Sequence, residues 1–316
     1  MTVMYDDVVA AAGRIEGHAV RTPVVEISEG LFLKLETLQH SGSFKARGAF
    51  NRMLSAHVPD AGVIAASGGN HGLAVAYAAR ALGVRAEIFV PEVCAPVKVA
   101  GLRALGAHVT RTGAIYSEAA EAAAKRAAQT GALQVHAYDH PDVVAGQGTL
   151  GLEVVEQTGG VDTILVAVGG GGLVAGVTAG VRGGARVVAV EPELIPTLHE
   201  ALKAGGPVPV GVSGVAADAL GATRLGALAY DIVSAAGVES VLVTDEAIEA
   251  ARRALWAEHR VAAEHAGATA TPRWRTASTP ASRASGSRWW CAAPTPTPRP
   301  WCDGSAVGVL RRGERA

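Results

Sequence analysis

The feature that most constrains the fold is an alternation of short apolar runs with alanine-rich stretches, which extends from about residue 60 to about residue 270. The apolar runs are rich in β-branched residues and are typical of buried strands, at 62–66, 86–90, 163–168 and 186–190. The alanine-rich stretches are typical of helices, at 71–82 and 115–129. This order predicts an α/β fold with a mainly parallel sheet, in which ligand-binding loops meet at the carboxyl ends of the strands.

Composition narrows the class of partner. The chain has 316 residues, enough for two domains, and 49% of them are hydrophobic, so a sizeable core can form. Lys and Arg number 28 against 29 Asp and Glu, which gives no electrostatic case for nucleic acid or an anionic membrane as partner. The sequence has no signal peptide, no uninterrupted apolar run of about 18 residues and too few cysteines for a disulfide framework. We therefore expect a cytoplasmic protein that acts on a small molecule.

Lys45 is the first candidate for chemistry. It stands among small polar and apolar residues in the segment Ser41–Ala49. A buried lysine has a lowered pKa and can attack an aldehyde as an uncharged amine. A surface lysine on a turn is an equally good interpretation of this segment alone.

A second candidate segment lies between a predicted strand and a predicted helix. It contains the small and polar residues Ser67, Gly68, Gly69, Asn70 and His71. Backbone amides at the start of a helix bind anions, and glycine lets a ligand approach closely, so an amino-acid carboxylate would suit this loop. A tight turn capped by Ser67 or Asn70 explains the same residues.

The third candidate is a run of four glycines directly after the strand at 163–168. The run and the residue that follows it are Gly169, Gly170, Gly171, Gly172 and Leu173. Its amides, at the start of a helix, can hold a phosphate. The stretch also satisfies the dinucleotide pattern G-x-G-x-x-A, with Glu191 about 20 residues further on, so an NAD-dependent oxidoreductase is a real alternative.

The combination separates these alternatives. An NAD site leaves Lys45 and the Asn70 loop without a role. Pyridoxal 5′-phosphate (PLP) needs an amine for its aldehyde, a cradle for its phosphate and a clamp for the carboxylate of its amino-acid substrate. The three segments supply one of these each.

The same residues resemble a known family. The strings LETLQHSGSFKARGA, SGGNHG, AGQGTLGLE, VAVGGGGL, AVEP and EHAGA occur here in the order found in PLP-dependent serine/threonine dehydratases, and cover about residues 15–270. These are fold-type-II enzymes (tryptophan synthase β-like) related to serine racemase. The resemblance implies two three-layer α/β domains with mainly parallel twisted sheets. Residues 1–49 and 143–270 would form a large PLP-binding domain, 50–142 would form a smaller inserted domain, and the protein would be a homodimer.

The resemblance also implies roles for the candidate residues. Lys45 would form a Schiff base with PLP and then remove the Cα proton of the substrate. Phe44 would pack on the cofactor, Asn70 would contact its ring hydroxyl, and Glu264 would lie near the ring. The phosphate would be bound by Gly169, Gly170, Gly171, Gly172 and Leu173. The substrate carboxylate would be bound by Ser67, Gly68, Gly69, Asn70 and His71.

The implied activity is that of a threonine/serine ammonia-lyase. It would remove water and ammonia from L-threonine or L-serine by β-elimination and give 2-oxobutanoate or pyruvate. A hydroxyaspartate ammonia-lyase or a serine racemase would share the cofactor. Serine racemase has a second serine at position 68, which serves as acid and base on the other face of the substrate. Gly68 has no such group, so we favour elimination.

Two further regions depart from the family or carry little signal. Some relatives bind a divalent cation near AVEP, but Thr197 replaces an expected acidic ligand of Glu191, so we expect no metal. His136 and His140 flank Tyr138 and Asp139, and we interpret this segment as a loop near the mouth of the active site.

Residues 271–316 form an aberrant tail, in which we predict disorder rather than helices or strands. The family continues after EHAGA with a helix and a strand that ends in a turn such as C-G-A-N, which binds the pyridine nitrogen. With GC-rich codons, a neighbouring reading frame of 290–301 can encode V-V-C-G-A-N-T-D-P-A-T-L-V, apart from one short slip. We hypothesise a frameshift near residue 271; a nucleotide sequence without this string in another frame would contradict it. An inactive remnant is therefore a further alternative.

Overall fold

The computed structural model describes residues 2–272 and the short strand Trp290–Ala292. The helices of this part of the chain are α1 (Tyr5–Ile15), α2 (Lys45–Leu54), α3 (Asn70–Ala81), α4 (Pro96–Ala104), α5 (Tyr116–Thr130), α6 (Pro141–Thr158), α7 (Gly172–Val181), α8 (Thr197–Ala204), α9 (Ala217–Leu220), α10 (Ala227–Ala235), α11 (Asp245–His259) and α12 (His265–Ala268). The strands are β1 (Val24–Ser28), β2 (Leu31–Lys34), β3 (Val63–Ala66), β4 (Ala86–Val90), β5 (His108–Arg111), β6 (Leu133–Gln134), β7 (Thr163–Ala167), β8 (Arg186–Pro192), β9 (Glu239–Val243) and β10 (Trp290–Ala292).

One sheet contains six of the described strands, in the order β1-β2-β10-β7-β8-β9. The first two strands form an antiparallel hairpin, and the other pairs are parallel. On one face Ile164 and Val166 pack with α1, α6, α7 and α10, and on the other Leu165 and Ala167 pack with α11 and α12. Because both faces of β7 are covered, its sequence is continuously apolar rather than alternating.

A second sheet has the order β5-β4-β3-β6 among the described strands and is parallel throughout. Val63 and Ala65 face α2, α3 and α4, while Ile64 and Phe89 face α5. The side of α5 that packs on the sheet consists of alanines, which lets the helix lie close to it. Each sheet is therefore covered by helices on both sides, and the predicted three-layer α/β fold with mainly parallel sheets is confirmed.

The predicted elements agree with the structure to within one or two residues. The predicted strands correspond to β3, β4, β7 and β8, and the two predicted helices correspond to α3 and α5. Gly131 ends α5 in the left-handed conformation with a φ of 72°, which glycine adopts without steric cost. Within the part of the chain that the structure describes, no helix combines the length and the apolar character that a membrane span requires.

The tail contributes one strand to the six-stranded sheet. Trp290 and Cys291 pair in parallel with Phe32 and Leu33 of β2, and Ala292 pairs with Val166 of β7. The prediction that the tail contains no strand is wrong for these three residues, because the place between β2 and β7 offers backbone partners on both sides. The resemblance does expect a strand after residue 270. The rest of the predicted disorder, at 273–289 and 293–316, lies outside the described residues.

Candidate functional site

Lys45 is the first residue of α2 and its side chain is directed towards the loop that follows β6. Its Nζ donates a hydrogen bond to the carbonyl oxygen of Ala137 at 2.7 Å and lies 5.2 Å from the centroid of the Phe44 ring. Burial of the amine lowers the pKa of Lys45 from 10.5 to about 8. Near neutral pH a useful fraction of this lysine is therefore an uncharged nucleophile, as the sequence predicts.

A buried network of charges fixes the helix that carries Lys45. Arg47 donates to the carboxylates of Glu36 and Glu153, and its side chain is fully buried. Lys34 of β2 forms an ion pair with Glu153. Burial alone would raise the pKa of Glu153, but the charges and hydrogen bonds of Arg47 and Lys34 outweigh it and hold that pKa below its usual value. The network joins α2, β2 and α6, so the start of α2 has little freedom to move.

The four glycines form the turn between β7 and α7, and their lack of side chains has a geometric reason. Gly171 has a φ of 88°, and a Cβ there would lie 2.7 Å from both Leu225 and Ala229. A Cβ at Gly170 would overlap the ring of Tyr138. The backbone can therefore turn tightly into the first turn of α7, where free amides and the helix dipole favour a phosphate.

The Asn70 loop joins β3 to α3 on the opposite wall. The Nδ2 of Asn70 donates to Oε1 of Glu264 at 3.1 Å, and the amide of Gly69 donates to Oγ of Ser67 at 3.2 Å. The ring of His71 is buried, and its Nε2 lies 2.9 Å from the carbonyl oxygen of Val135. Burial lowers the pKa of His71 to about 3, so the ring is neutral and its Nε2–H donates to that oxygen. His71 is thus placed to meet a ligand through its backbone amide rather than its ring.

A cavity between the two sheets brings most of the predicted site residues together. Its walls contain these predicted residues: Phe44, Lys45, Asn70, Gly169, Gly170, Gly171, Gly172 and Leu173. The other predicted residues, Ser67, Gly68, Gly69 and His71, lie beside this cavity on the Asn70 loop and are not among its lining residues. The cavity is also lined by Tyr138, Ala167, Ala219 and Leu220, which sequence reasoning did not assign to the site.

The loop around Tyr138 is held from both ends, as a loop near the site mouth would have to be. Nδ1 of His136 accepts hydrogen bonds from the amides of Tyr138 and Asp139 at 3.2 and 2.8 Å. The carboxylate of Asp139 accepts from the amides of Ala227 and Leu228 at the start of α10, at 3.1 and 3.0 Å. Burial raises the pKa of Tyr138 to about 12, so this phenol stays protonated. The prediction of a loop at the site mouth fits this geometry.

Glu191 is fully committed to structure. Its carboxylate accepts hydrogen bonds from the amides of Leu198 and His199, at 2.8 and 2.9 Å, and from the hydroxyls of Thr197 and Ser240, at 3.2 and 2.6 Å. Burial raises the pKa of Glu191, and these four donors oppose that rise. It caps α8, so no oxygen is left for the ribose of a dinucleotide, and the NAD alternative is wrong. No cluster of possible metal ligands occurs among the residues described.

Comparison with known proteins decides the family. The model of a family described as pyridoxal-phosphate dependent enzymes matches residues 15–277. This chain belongs to that family.

Curated relatives and solved structures of this family point the same way. The chain is 39% identical over 249 residues to an L-threonine ammonia-lyase of Thermotoga maritima, covering 77% of this chain and 62% of the relative. It is 41% identical over 243 residues to one of Geobacter sulfurreducens, covering 75% and 60%. The chain thus spans about 60% of the length of these two relatives. Maize serine racemase superposes with a TM-score of 0.84 at 29% identity and covers 92% of each chain. A threonine deaminase from T.th. does so with a TM-score of 0.79 at 33% identity, covering 86% of this chain and 92% of the other.

The residues at the site fit the cofactor of this family, which is PLP. Lys45 offers an amine with a lowered pKa to the aldehyde. The glycine turn before α7 offers a cradle that any side chain would fill. Both groups line the same cavity, so one PLP molecule can use both.

Proposed function

We propose that this protein is a PLP-dependent ammonia-lyase that acts on L-threonine and/or L-serine and releases 2-oxobutanoate or pyruvate with ammonia. The observation that carries the proposal is that one cavity contains the amine of Lys45, the glycine cradle and Asn70. The L-threonine ammonia-lyases among its relatives support it. Small hydroxy amino acids also suit the nearly neutral composition of the chain.

The roles follow from the geometry. Lys45 attaches the cofactor and, once free, accepts the Cα proton of the substrate. Phe44 packs against the cofactor, Asn70 contacts its ring hydroxyl, and Glu264 lies near its ring through its bond to Asn70. The phosphate is held by Gly169, Gly170, Gly171, Gly172 and Leu173. The substrate carboxylate is held by Ser67, Gly68, Gly69, Asn70 and His71.

The residues of the chain then divide the work of elimination. When bound, PLP supplies an electron sink that stabilises negative charge at the substrate Cα. Lys45 holds the proton it has taken at Nζ, and the Ala137 carbonyl gives that group a fixed hydrogen-bond partner. The apolar walls around Ala167 and Leu220 limit the access of water to the reacting atoms.

The structure favours elimination over racemisation. A Cβ at Gly68 would lie 2.6 Å from Sγ of Cys94, so the volume that a side chain at 68 needs is already taken by the thiol. Without an acid or base at 68, the residue-68 loop cannot deliver a proton to the second face of the substrate. A hydroxyaspartate ammonia-lyase differs only in the substrate side chain, and the product assay below distinguishes it.

The experiment that tests the proposal combines a spectrum with a product assay. We expect the protein with added PLP to show a visible absorption band, which borohydride removes while it fixes the cofactor on Lys45. The same protein should release 2-oxo acid from L-threonine or L-serine faster than from hydroxyaspartate. Lys45→Ala should lose the band and the activity, while Lys125→Ala, which removes an exposed lysine of α5, should keep both. A protein that binds PLP through Lys45 but releases no 2-oxo acid would overturn the assignment as an ammonia-lyase.

The organisation of the protein is part of the same proposal. Residues 1–49 and 143–270 form the large domain around the six-stranded sheet, and 50–142 form the small domain around the four-stranded sheet. We expect a homodimer in the cytoplasm, with no nucleic-acid partner. Gel filtration with light scattering tests the first point, and a monomeric mass would contradict it.

A further inference from the structure

An ion pair joins the two walls of the cavity at its rim. Lys98 of α4 donates from Nζ to Oδ1 of Asp218 of α9. Helix α4 packs in the core of the four-stranded sheet, whereas α9 packs in the core of the six-stranded sheet. The side chain of Lys98 is 18% exposed and that of Asp218 is 55% exposed, so the pair lies at the edge of the cavity rather than inside it.

Both ends of the pair are directly connected to site residues. Asp218 is followed in α9 by Ala219 and Leu220, which line the cavity, and a Cβ at Gly169 would lie 3.1 Å from the backbone of Leu220. On the other wall, α4 begins just after Cys94, whose thiol touches the place where a side chain at Gly68 would lie. The ion pair therefore connects the wall that carries the glycine cradle to the wall that carries the Asn70 loop.

The strength of the pair suits a contact that breaks in every catalytic cycle. Ion pairs with a solvent-exposed partner are weak, and salt screens them. Opening of the cavity for substrate and product has to separate α4 from α9, and this pair is broken when they separate.

We propose that Lys98 and Asp218 form a reversible latch that keeps the cavity closed over the amino-acid substrate. The proposal rests on the proposed function, and it makes both residues positioning residues, because neither touches the reacting atoms. Loss of either partner lets the substrate leave more easily, while the chemistry at Lys45 is unchanged.

The first test is steady-state kinetics of single and paired variants. Lys98→Met and Asp218→Asn should each raise KM about 3- to 10-fold, which corresponds to loss of an exposed pair, with kcat kept within about twofold. The charge-reversed pair Lys98→Asp/Asp218→Lys should recover most of the loss. The matched control is Lys203→Met, which breaks the pair between Lys203 and Glu200 inside α8 and should leave KM unchanged.

Salt dependence separates a latch from a general structural effect. The substrate is a zwitterion without net charge, so its own binding responds little to salt. The KM of the natural sequence should rise between about 0.02 M and about 0.5 M NaCl, and the KM of Lys98→Met should not. Equal salt dependence in the two proteins would overturn the latch.

Hydrogen exchange of the cofactor-free protein gives a readout that does not depend on activity. The amides of α4 should exchange faster in Lys98→Met and in Asp218→Asn than in the natural sequence or in Lys203→Met. Unchanged exchange in both variants would overturn the latch. If the natural sequence has no lyase activity, the proposed function fails, and the exchange measurement alone decides whether the pair holds the two walls together.

Discussion

At the scale of single residues, the site depends on two side chains whose surroundings change their chemistry. Lys45 loses its charge near pH 8 because burial disfavours the ammonium form, and Gly68 leaves space that Cys94 fills. Each effect is local, so each can be tested by one or two substitutions.

The pKa of Lys45 predicts how fast the protein takes up PLP. The amine must be uncharged to attack the aldehyde, and its pKa in the folded protein is about 8 rather than 10.5. The uptake rate should therefore rise about tenfold per pH unit below pH 8 and level off above it. Stopped-flow absorbance from pH 6 to pH 10 measures this profile, on the order of one point per half unit. A rate that is still rising at the upper end would contradict the lowered pKa.

The crowding at Gly68 predicts a coupled pair of substitutions. Gly68→Ser should lower the free energy of unfolding by about 1–3 kcal/mol, because its side chain overlaps the thiol of Cys94. Adding Cys94→Ala should restore most of that loss. Gly69→Ser is the matched control, since a Cβ at Gly69 meets nothing within 4 Å. Urea unfolding of the four proteins checks this, and additive effects of the two substitutions would refute the contact.

The sequence predicts the chemistry of the site better than its full lining. Lys45, Asn70 and the four glycines are recognisable because each stands in a local motif that already matches its task. Tyr138 and Leu220 are not recognisable, since an aromatic ring or a leucine becomes part of a cavity only through packing with distant segments. Glu264 was placed by family resemblance alone, and the structure shows it bonded to Asn70.

At the scale of elements, the site depends on where α2 and α7 begin. The start of α2 is fixed by the charges around Arg47, and the start of α7 is fixed by a glycine turn with a positive φ. Substitutions at these two places should damage the site without touching a reacting atom.

The network around Arg47 predicts a large loss of stability. Arg47→Met should lower the free energy of unfolding by about 3–5 kcal/mol, because it leaves the carboxylates of Glu36 and Glu153 buried without their main partner. Arg21→Met breaks the exposed pair with Glu156 and should cost less than about 1 kcal/mol. Thermal or urea unfolding distinguishes the two, and similar losses would show that burial does not matter here.

The glycine turn predicts a specific loss of cofactor binding. Gly171→Ala should combine backbone strain with overlap on Leu225 and Ala229, and should weaken PLP binding at least about tenfold. Gly183→Ala is the matched control, because Gly183 also has a positive φ, of 72°, but a Cβ there meets nothing within 4 Å. PLP titration by absorbance compares them, and equal affinities would mean that the shape of the turn is not needed to bind the phosphate.

The elements differ in how far the sequence predicts them. β7 and β8 are predictable because parallel strands that are buried on both faces are continuously apolar. β10 is not predictable, since Trp290–Ala292 has no strand pattern of its own and becomes a strand only because β2 and β7 offer partners.

At the scale of the whole molecule, the described chain forms two sheets around one cavity, and the strand order links the far ends of the sequence. The six-stranded sheet takes strands from before and after the four-stranded sheet in sequence, as an inserted domain requires. This arrangement makes the cavity depend on how the two halves meet.

The position of β10 predicts that a substitution in the tail destabilises the protein. Cys291→Pro removes an amide from a strand with neighbours on both sides, so it should lower the melting temperature by several degrees. Cys302→Pro, which lies beyond the strand in sequence, is the control. Differential scanning calorimetry checks this, and no difference between the two variants would argue against the strand.

The place of β10 also has a consequence for synthesis of the protein. A segment near the end of the sequence fills a central position of the six-stranded sheet, between strands made much earlier. On the ribosome, β2 and β7 emerge long before their shared neighbour, and each presents an unpaired edge until it arrives. The four-stranded sheet, whose strands are all made together, can complete itself first. The nascent chain therefore passes through a state with a finished small sheet and an open large one, which is a form that chaperones bind and that aggregates when translation stops early.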